Sequence, residues 1–200
     1  MIEDLIKDFQ PKKKQILITA EDLFFRFGLK RISIEEICST AKVSKMTFYK
    51  YFKNKIDLIK CLWSLMFDYG MKKFEEIENM DISFQEKVNL ILKMKEESSK
   101  KLSHEFALEY FFSNDELRDF FNQKYQKSIG SFISFFKNGQ AKGEVRTEMK
   151  PEFFIAAINK LMELVENKQL VQSYETYKDF VLEVNNFLYF GIFPRPDKNK

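Results

Sequence analysis

Residues 42–55 combine positive charge and aromatic rings in a way that suits binding of a polyanion. Five lysines lie among two phenylalanines and two tyrosines, and no acidic residue interrupts them. The lysines are Lys42, Lys45, Lys50, Lys53 and Lys55. Such a run can neutralise phosphate groups, although a solvated helix face is the commoner explanation of a charge run. The segment is therefore a candidate nucleic-acid contact, with an ordinary surface helix as the alternative.

Charge elsewhere in the chain is distributed unevenly. Residues 1–60 contain 13 Lys or Arg and 8 Asp or Glu, whereas residues 61–200 contain 20 and 22. The net charge of +3 thus conceals a basic first third and a slightly acidic remainder. This asymmetry points to a polyanionic partner for the first third of the chain.

The residue types that carry catalysis or bind metals are not grouped in this sequence. With a single histidine, His104, neither a Ser-His triad nor a histidine-based metal cluster can be assembled. Cys38 and Cys61 lack metal-ligand spacing, and a reducing compartment would keep them as buried thiols. A glycine-rich phosphate loop is also missing. We therefore expect no enzyme, no metal and no cofactor.

Composition favours an all-α fold. The 200 residues include 23 Phe but only 6 Gly and 4 Pro, so turn-forming residues are too few for a many-stranded sheet. No secretory signal follows Met1, and no run approaches the roughly eighteen apolar residues of a membrane span. We expect a cytoplasmic protein whose core forms without disulfides or metal.

Helix signals around the lysine-rich segment predict how it is positioned. Apolar residues recur at helical spacing over Pro11–Phe27, and Gly28 suits the end of that helix. Short helices are predicted over Ser33–Thr40 and Ser44–Tyr51, each with its serine as the N-cap, and Asn54 caps a long helix after them. Two short helices joined by a tight turn form a helix-turn-helix, whose second helix can enter the major groove of DNA.

Five further helical stretches follow, separated by short polar breaks. They are Phe84–Leu102, Glu105–Phe112, Asp115–Lys142, Pro151–Lys168 and Glu175–Phe190. The tail from about residue 194 is expected to be disordered.

The segment SIEEICSTAKVSKMTFYKYFKNK, from Ser33 to Lys55, carries a specific pattern. Its N-cap serine is followed by I-x-x-I, by A-x-V-S-x-x-T-F-Y-x-Y-F and by N-K, and the preceding helix ends in F-x-x-x-G. This pattern resembles the signature of the TetR/AcrR family of transcriptional regulators, over roughly Ile16 to Leu62. The remaining chain resembles that family only in length and helix order.

The resemblance implies an all-α protein with an N-terminal three-helix helix-turn-helix domain followed by a larger helical ligand-binding and dimerisation bundle. The expected boundaries are residues 1–55 for DNA binding and 56–200 for effector binding and dimerisation. The implied function is that of a transcriptional regulator, specifically a repressor released from a pseudo-palindromic operator by a small molecule. The alternative is a binding module of the same fold that acts through a protein partner or without effector control.

The resemblance also implies roles for individual residues. Those expected to contact DNA are Ser33, Ser44, Lys45, Met46, Thr47, Tyr49, Lys50 and Lys55. Base contacts are assigned to the second helix, with Lys45 at a guanine edge and Met46 or Thr47 at a thymine methyl. Phosphate contacts are assigned to Ser33, Tyr49, Lys50 and Lys55. The apolar residues at helical spacing are expected to form core instead, namely Ile34, Ile37, Ala41, Val43, Phe48 and Phe52.

Two residues depart from the family pattern. Lys42 stands where the family usually has glycine, at a turn position that we expect to need a positive φ. Met46 replaces a residue that is usually small, so its longer side chain could reach a base and alter operator preference.

The larger bundle is expected to hold the effector and the dimer interface. An effector of apolar or aromatic character is expected at Trp63, Met66, Phe67, Met94, Phe106, Tyr110, Phe111 and Tyr125, although an aromatic stripe is more often core. Glu105 and Glu109 lie one helical turn apart and could select a cationic effector if buried. The homodimer is expected to form through the helices at about 153–166 and 177–190.

Overall fold

The structure, a computed structural model, describes residues 2–112, 115–164 and 167–190, and the regular structure in those ranges is entirely helical. The elements are a 3-10 helix η1 (Glu3–Ile6) and the α-helices α1 (Pro11–Phe27), α2 (Ile34–Thr40), α3 (Lys45–Tyr51), α4 (Lys55–Glu78), α5 (Phe84–Ser99), α6 (His104–Phe112), α7 (Asp115–Ala141), α8 (Pro151–Glu163), α9 (Lys168–Gln172) and α10 (Tyr177–Phe190). The all-α prediction is confirmed. The tail predicted to be disordered lies outside the described residues.

Side-chain caps fix where the first helices begin. Ser33 Oγ accepts the Glu36 amide at 3.1 Å, and Ser44 Oγ accepts the Thr47 amide at 3.1 Å. Asn54 Oδ1 accepts the amide of Asp57 at 2.8 Å, at the start of α4. These bonds satisfy amides that have no partner inside their own helix, so the predicted N-caps are confirmed.

One predicted helix is in fact two. A single helix was expected over Pro151–Lys168, but α8 ends at Glu163 and α9 starts at Lys168. The side chain of Asn167 accepts the amide of Leu170 at 3.0 Å and thereby caps a new helix start. The long continuous stretch inferred from apolar spacing was therefore wrong, because spacing alone does not reveal a cap inside it.

Two further boundaries differ from the prediction for a similar reason. The predicted helix to Leu102 ends at Ser99, where the hydroxyls of Ser98 and Ser99 bond back to backbone carbonyls of the preceding turn. The last helix begins at Tyr177 rather than Glu175. Thr176 is its cap, because its hydroxyl oxygen accepts the amide of Asp179 at 3.2 Å.

The first compact unit comprises Met1–Lys72 and Lys101–Lys124. Its core contains the predicted residues Ile37, Ala41, Phe48 and Phe52, all buried, with Ile34 and Val43 half-buried against them. The sequence reasoning missed η1, whose Ile6 is 1% exposed in the same core. The N-terminal segment before α1 is therefore part of this unit.

The second unit comprises Lys73–Lys100 and Tyr125–Lys200. Stacked phenylalanines form much of its core, with ring centroids 4.6 Å apart for Phe84–Phe135 and 4.7 Å apart for Phe136–Phe154. Helix α10 packs mainly on α5. The expected boundary after Lys55 separates a DNA-binding part from an effector-binding part of the chain. The two compact units do not test that functional division, so it stays a prediction.

No helix within the described ranges is both long and apolar enough to span a membrane.

Candidate nucleic-acid interface

Helix α3 presents one face to the core and the opposite face to solvent. Phe48 is fully buried, whereas Met46 is 82% and Tyr49 55% exposed. Lys45 and Lys50 are exposed as well, and Thr47 is half-buried. A large exposed methionine and tyrosine on a short helix flanked by lysines form a surface shaped for a partner rather than for the core.

The turn between α2 and α3 has the hydrogen bonds of a Schellman motif. The Val43 amide donates to the Cys38 carbonyl at 3.0 Å, and the Lys42 amide donates to the Ser39 carbonyl at 3.2 Å. This motif places Lys42 in the left-handed region, with φ of 51°. The positive φ expected at this position is confirmed, and the turn keeps the geometry that glycine would allow.

Lys45 is held by an acidic residue of the neighbouring helix. Its ammonium donates to the Glu35 carboxylate of α2, and both side chains are exposed. The hydrogen bond from Lys45 lowers the pKa of Glu35, and the same bond raises the pKa of Lys45. A base contact by Lys45 would require it to exchange this exposed carboxylate for a base edge.

The two N-cap serines are already engaged by their own helices. Ser33 Oγ accepts from Glu36, and Ser44 Oγ lies 2.9 Å from the hydroxyl of Thr47. Both serines are exposed at helix starts, so their hydroxyl groups remain at the surface. The DNA contacts assigned to Ser33, Ser44 and Thr47 stay predictions.

Lys55 makes contacts that the sequence did not reveal. Its ammonium donates to the carbonyls of Leu29 at 2.8 Å, Ile32 at 2.9 Å and Lys30 at 3.4 Å, all in the link between α1 and α2. Burial lowers the pKa of Lys55. Three carbonyl partners give this lysine a structural role, and its phosphate contact stays a prediction.

A carboxylate of α6 reaches the same link from another side. The Lys30 amide donates to Glu109 Oε2 at 2.8 Å. At Gly28, where φ is +81°, an added Cβ would lie 2.8 Å from that same oxygen. The positive φ favours glycine there, and a larger residue would also displace the Glu109 carboxylate from its place beside the link. The link leading into the helix-turn-helix is held by Lys55 and Glu109 together.

Three residues of the expected effector pocket do line one cavity. Trp63, Met66 and Phe106 surround a space of only about 10 Å³, together with Glu21, Phe24, Phe25, Ile59 and Leu62. That volume is barely enough for one water. Burial raises the pKa of Glu21, a residue that the sequence reasoning did not single out. The cavity would have to open before it could hold an effector.

Among the other expected pocket residues, Phe67 does not line that cavity. Phe67 is half-buried in α4 with the ammonium of Lys124 5.7 Å from its ring centroid. Met94 and Tyr125 belong to the second unit, where the Tyr125 hydroxyl donates to Asn159 Oδ1 at 2.8 Å. The side chains of Tyr110 and Phe111 lie outside the described residues. Their part in effector binding stays a prediction.

A metal centre has no candidate in the described part of the chain, because no group of three or more His, Cys, Asp or Glu side chains is placed to hold an ion.

Comparisons with known proteins bear on this site. Residues 16–62 match the model of bacterial regulatory proteins of the tetR family. The chain is 28% identical over 141 residues to the HTH-type transcriptional regulator YhgD of Bacillus subtilis, covering 70% of this chain and 73% of that protein. It is 27% identical over 145 residues to the fatty acid metabolism regulator protein of the same organism, covering 70% and 74%.

A solved structure shows the same fold. It is the transcriptional regulator FadR of Bacillus subtilis in complex with stearoyl-CoA, with a TM-score of 0.67 and 22% identity, covering 89% of this chain and 98% of that one. The matched residues 16–62 include the whole of α2 and α3, most of α1 and the start of α4.

Proposed function

We propose that this chain is a transcriptional regulator of the tetR family, and specifically a repressor that binds a pseudo-palindromic operator as a homodimer and leaves it when a small molecule binds. The observation that carries the DNA-binding part is the outer face of α3, where Met46 and Tyr49 are exposed while Phe48 anchors the helix from behind. A rigidly anchored helix with an exposed face is what major-groove recognition requires.

Within this interface, the proposed roles divide into base contacts and phosphate contacts. Met46 is the most exposed large apolar side chain of α3 and suits a thymine methyl. Lys45 is held by Glu35 near the start of the helix and suits a guanine edge. Lys50 and Tyr49 suit phosphates, which orient the helix without specifying sequence.

For the effector we propose a long-chain acyl thioester of coenzyme A as the first ligand to test. Support comes from the relative named as a fatty acid metabolism regulator and from the fold neighbour solved with stearoyl-CoA. The cavity at Trp63 and Phe106 is lined mostly by apolar side chains, which are compatible with an acyl chain. Glu105 is exposed and Glu109 is occupied by the Lys30 amide, so this pair does not form a cation site.

The homodimer is proposed to form through α8 and α10. Phe153 and Phe187 are 64% and 70% exposed, although most phenylalanines of this unit are buried. They line an apolar groove of about 800 Å³ together with Phe154, Ala157, Leu161 and Leu188. A contiguous exposed apolar surface of this kind marks a protein contact. A two-fold dimer then requires an operator with two matching half-sites.

The test is binding of the purified protein to duplex DNA from upstream of its own gene, followed by footprinting and by addition of stearoyl-CoA. We expect a protected inverted repeat, affinity that falls steeply with salt, and release by stearoyl-CoA but not by coenzyme A alone. Lys45→Ala should relax preference at one base position in each half-site.

Two results would count against this proposal in different ways. Absent or salt-insensitive DNA binding would leave the alternative of a binding module with a protein partner. Specific binding that stearoyl-CoA does not weaken would retain the regulator and reject this effector class.

A further inference from the structure

We propose that Glu109 of α6 is a positioning residue for operator binding, which holds the helix-turn-helix in place without a DNA contact of its own. Its carboxylate accepts the backbone amide of Lys30, in the link between α1 and α2, at 2.8 Å. The inference rests on the proposed function, because this placement matters for an operator only if the helix-turn-helix binds DNA.

One face of α6 follows the C-terminal turn of α1 and the link beyond it. At the start of that face, the amide of Ser103, the residue before α6, donates to the Phe25 carbonyl at 2.9 Å. One turn on, the rings of Phe106 and Phe25 meet edge to face, with their centroids 4.9 Å apart. Glu109 follows after a further turn and reaches Lys30. Positions 103, 106 and 109 have the three-residue spacing of a single helix face, so this face supports the end of α1 and the link together.

The link itself is held between opposite charges. Glu109 binds it through the Lys30 amide, whereas the ammonium of Lys55, at the start of α4, donates to the Leu29 and Ile32 carbonyls at 2.8 and 2.9 Å. Burial lowers the pKa of Lys55, and the negative charge of Glu109 opposes that shift, so the two charges act on each other. A carboxylate at an amide and an ammonium at carbonyls match the polarity of the backbone that they hold.

The position of the link determines where α2 and α3 lie. Lys30 is three residues before Ser33, the N-cap of α2, and Ile32 between them is fully buried. The Schellman turn at Lys42 then joins α2 to α3. A shift of the link therefore moves the outer face of α3. Because each α3 of a dimer must fit its own half-site, such a shift weakens binding to an inverted repeat more than phosphate-based binding to random DNA.

The face of α6 that carries Glu109 also forms part of the expected effector cavity. Phe106 lines that space with Trp63 and Met66 of α4. The cavity would have to open to hold a ligand, and Phe106 lies one turn before Glu109. An opening that shifts α6 would therefore act on the bond to Lys30 as well, which gives effector binding a route to α3.

The test compares three variants on two duplexes of equal length, one with the inverted repeat from upstream of the gene and one of random sequence. Glu109→Ala removes the acceptor, and Glu109→Gln retains an acceptor oxygen without the charge. Glu105→Ala is the matched control. Glu105 is exposed one turn earlier in α6, and its carboxylate makes no hydrogen bond or ion pair within the part of the chain that the structure describes.

Relative to Glu105→Ala, Glu109→Ala should bind the inverted repeat about ten-fold more weakly, since a hydrogen bond to a charged acceptor is lost from the link. Its affinity for the random duplex and its salt slope should remain unchanged, because no phosphate contact is removed. Glu109→Gln should recover most of the affinity for the inverted repeat. In the free protein, hydrogen exchange of the Lys30 amide, followed by NMR, should be faster in Glu109→Ala than in Glu105→Ala.

Failure of this inference and failure of the proposed function give different results. If wild type does not prefer the inverted repeat to random DNA, the proposed function fails and the inference falls with it. If wild type is specific and Glu109→Ala keeps that specificity, or if exchange of the Lys30 amide is unchanged, the inference alone is overturned. An equal loss on both duplexes would also overturn it, because partial unfolding would then account for the loss.

Discussion

Lys42 departs from the family pattern, which usually has glycine at this turn position, yet the backbone keeps the positive φ that glycine would adopt. Its φ of 51° is one that glycine adopts freely and lysine adopts at a cost. The hydrogen bonds from Lys42 and Val43 close the end of α2 regardless. The backbone strain is therefore confined to Lys42. The Schellman motif still sets the angle between α2 and α3.

Lys42→Gly is expected to stabilise the protein by about 1 kcal/mol relative to Lys42→Ala, raising Tm by about 2–4 °C. Alanine has a Cβ atom and is therefore strained at positive φ, as lysine is. Both variants lose the lysine charge, but only Lys42→Gly also loses the strain. Thermal unfolding followed by circular dichroism measures the difference. Equal melting temperatures for the two variants would show that the turn carries no strain.

Residue roles were predictable where the cause is local. The caps at Ser33 and Ser44 and the positive φ at Lys42 follow from a few neighbouring residues, and each appears in the structure. The partners of Lys45 and Lys55 were not predictable, because Glu35 lies on another helix and the carbonyls that Lys55 contacts lie in the distant α1–α2 link. The sequence shows that a lysine is positively charged, but it does not show which group that lysine contacts in the folded protein.

At the scale of elements, the helices with side-chain caps and clear apolar spacing were placed well, and α1 has the predicted bounds Pro11–Phe27. Two small elements were missed. Helix α9 is five residues long, and η1 is four. Neither is long enough to show a helical period. The burial of Ile6 in η1, and of Ile2 just before it, arises only from the tertiary packing of the first unit.

The link between α1 and α2 gives a prediction at this scale. Lys55→Met is expected to destabilise the first unit by about 1.5–3 kcal/mol, because hydrogen bonds from a charged group to three carbonyls are lost. Urea unfolding followed by the fluorescence of Trp63, which lies in that unit's core, measures the change.

Lys50→Met is the matched control for this substitution. Lys50 is exposed on α3, so the same replacement should change stability by less than about 0.5 kcal/mol while weakening DNA binding. If Lys55→Met were as stable as Lys50→Met but bound DNA more weakly, Lys55 would act as a phosphate contact and not as a structural residue.

At the scale of the whole molecule, one buried charge should make stability depend on pH. The Lys95 ammonium of α5 donates to Asn185 Oδ1 of α10 at 2.7 Å, and burial lowers the pKa of Lys95 from 10.5 to about 8. Between these values the unfolded chain keeps a proton that the folded chain has released. Stability contributed by this group therefore rises as pH increases from about 8 to 10.5.

The measurement is the free energy of unfolding at several pH values for wild type and Lys95→Met. The difference between the two proteins should be constant below pH 8 and should shift in favour of wild type as pH approaches 10, because only wild type has this group. A difference that does not change with pH would mean that Lys95 titrates at its ordinary value and is solvated in the folded state.

The second whole-molecule prediction concerns assembly, on which a two-fold operator depends. Phe153→Glu combined with Phe187→Glu is expected to convert the dimer to a monomer, because the two exposed rings line the α8–α10 groove. Stable interfaces bury roughly 800 Å² on each partner, and charged groups at the centre of one are costly. Light scattering after size exclusion measures the mass.

Helical content in the double variant should remain unchanged, since both rings are mostly exposed and replacing them removes little core packing. Leu90→Glu, on an exposed apolar residue of α5, is the control and should remain dimeric. The variant that loses the dimer should also lose affinity for the inverted repeat while keeping weak binding to random DNA, because each monomer retains one α3. A double variant that stays dimeric would place the interface elsewhere on the chain.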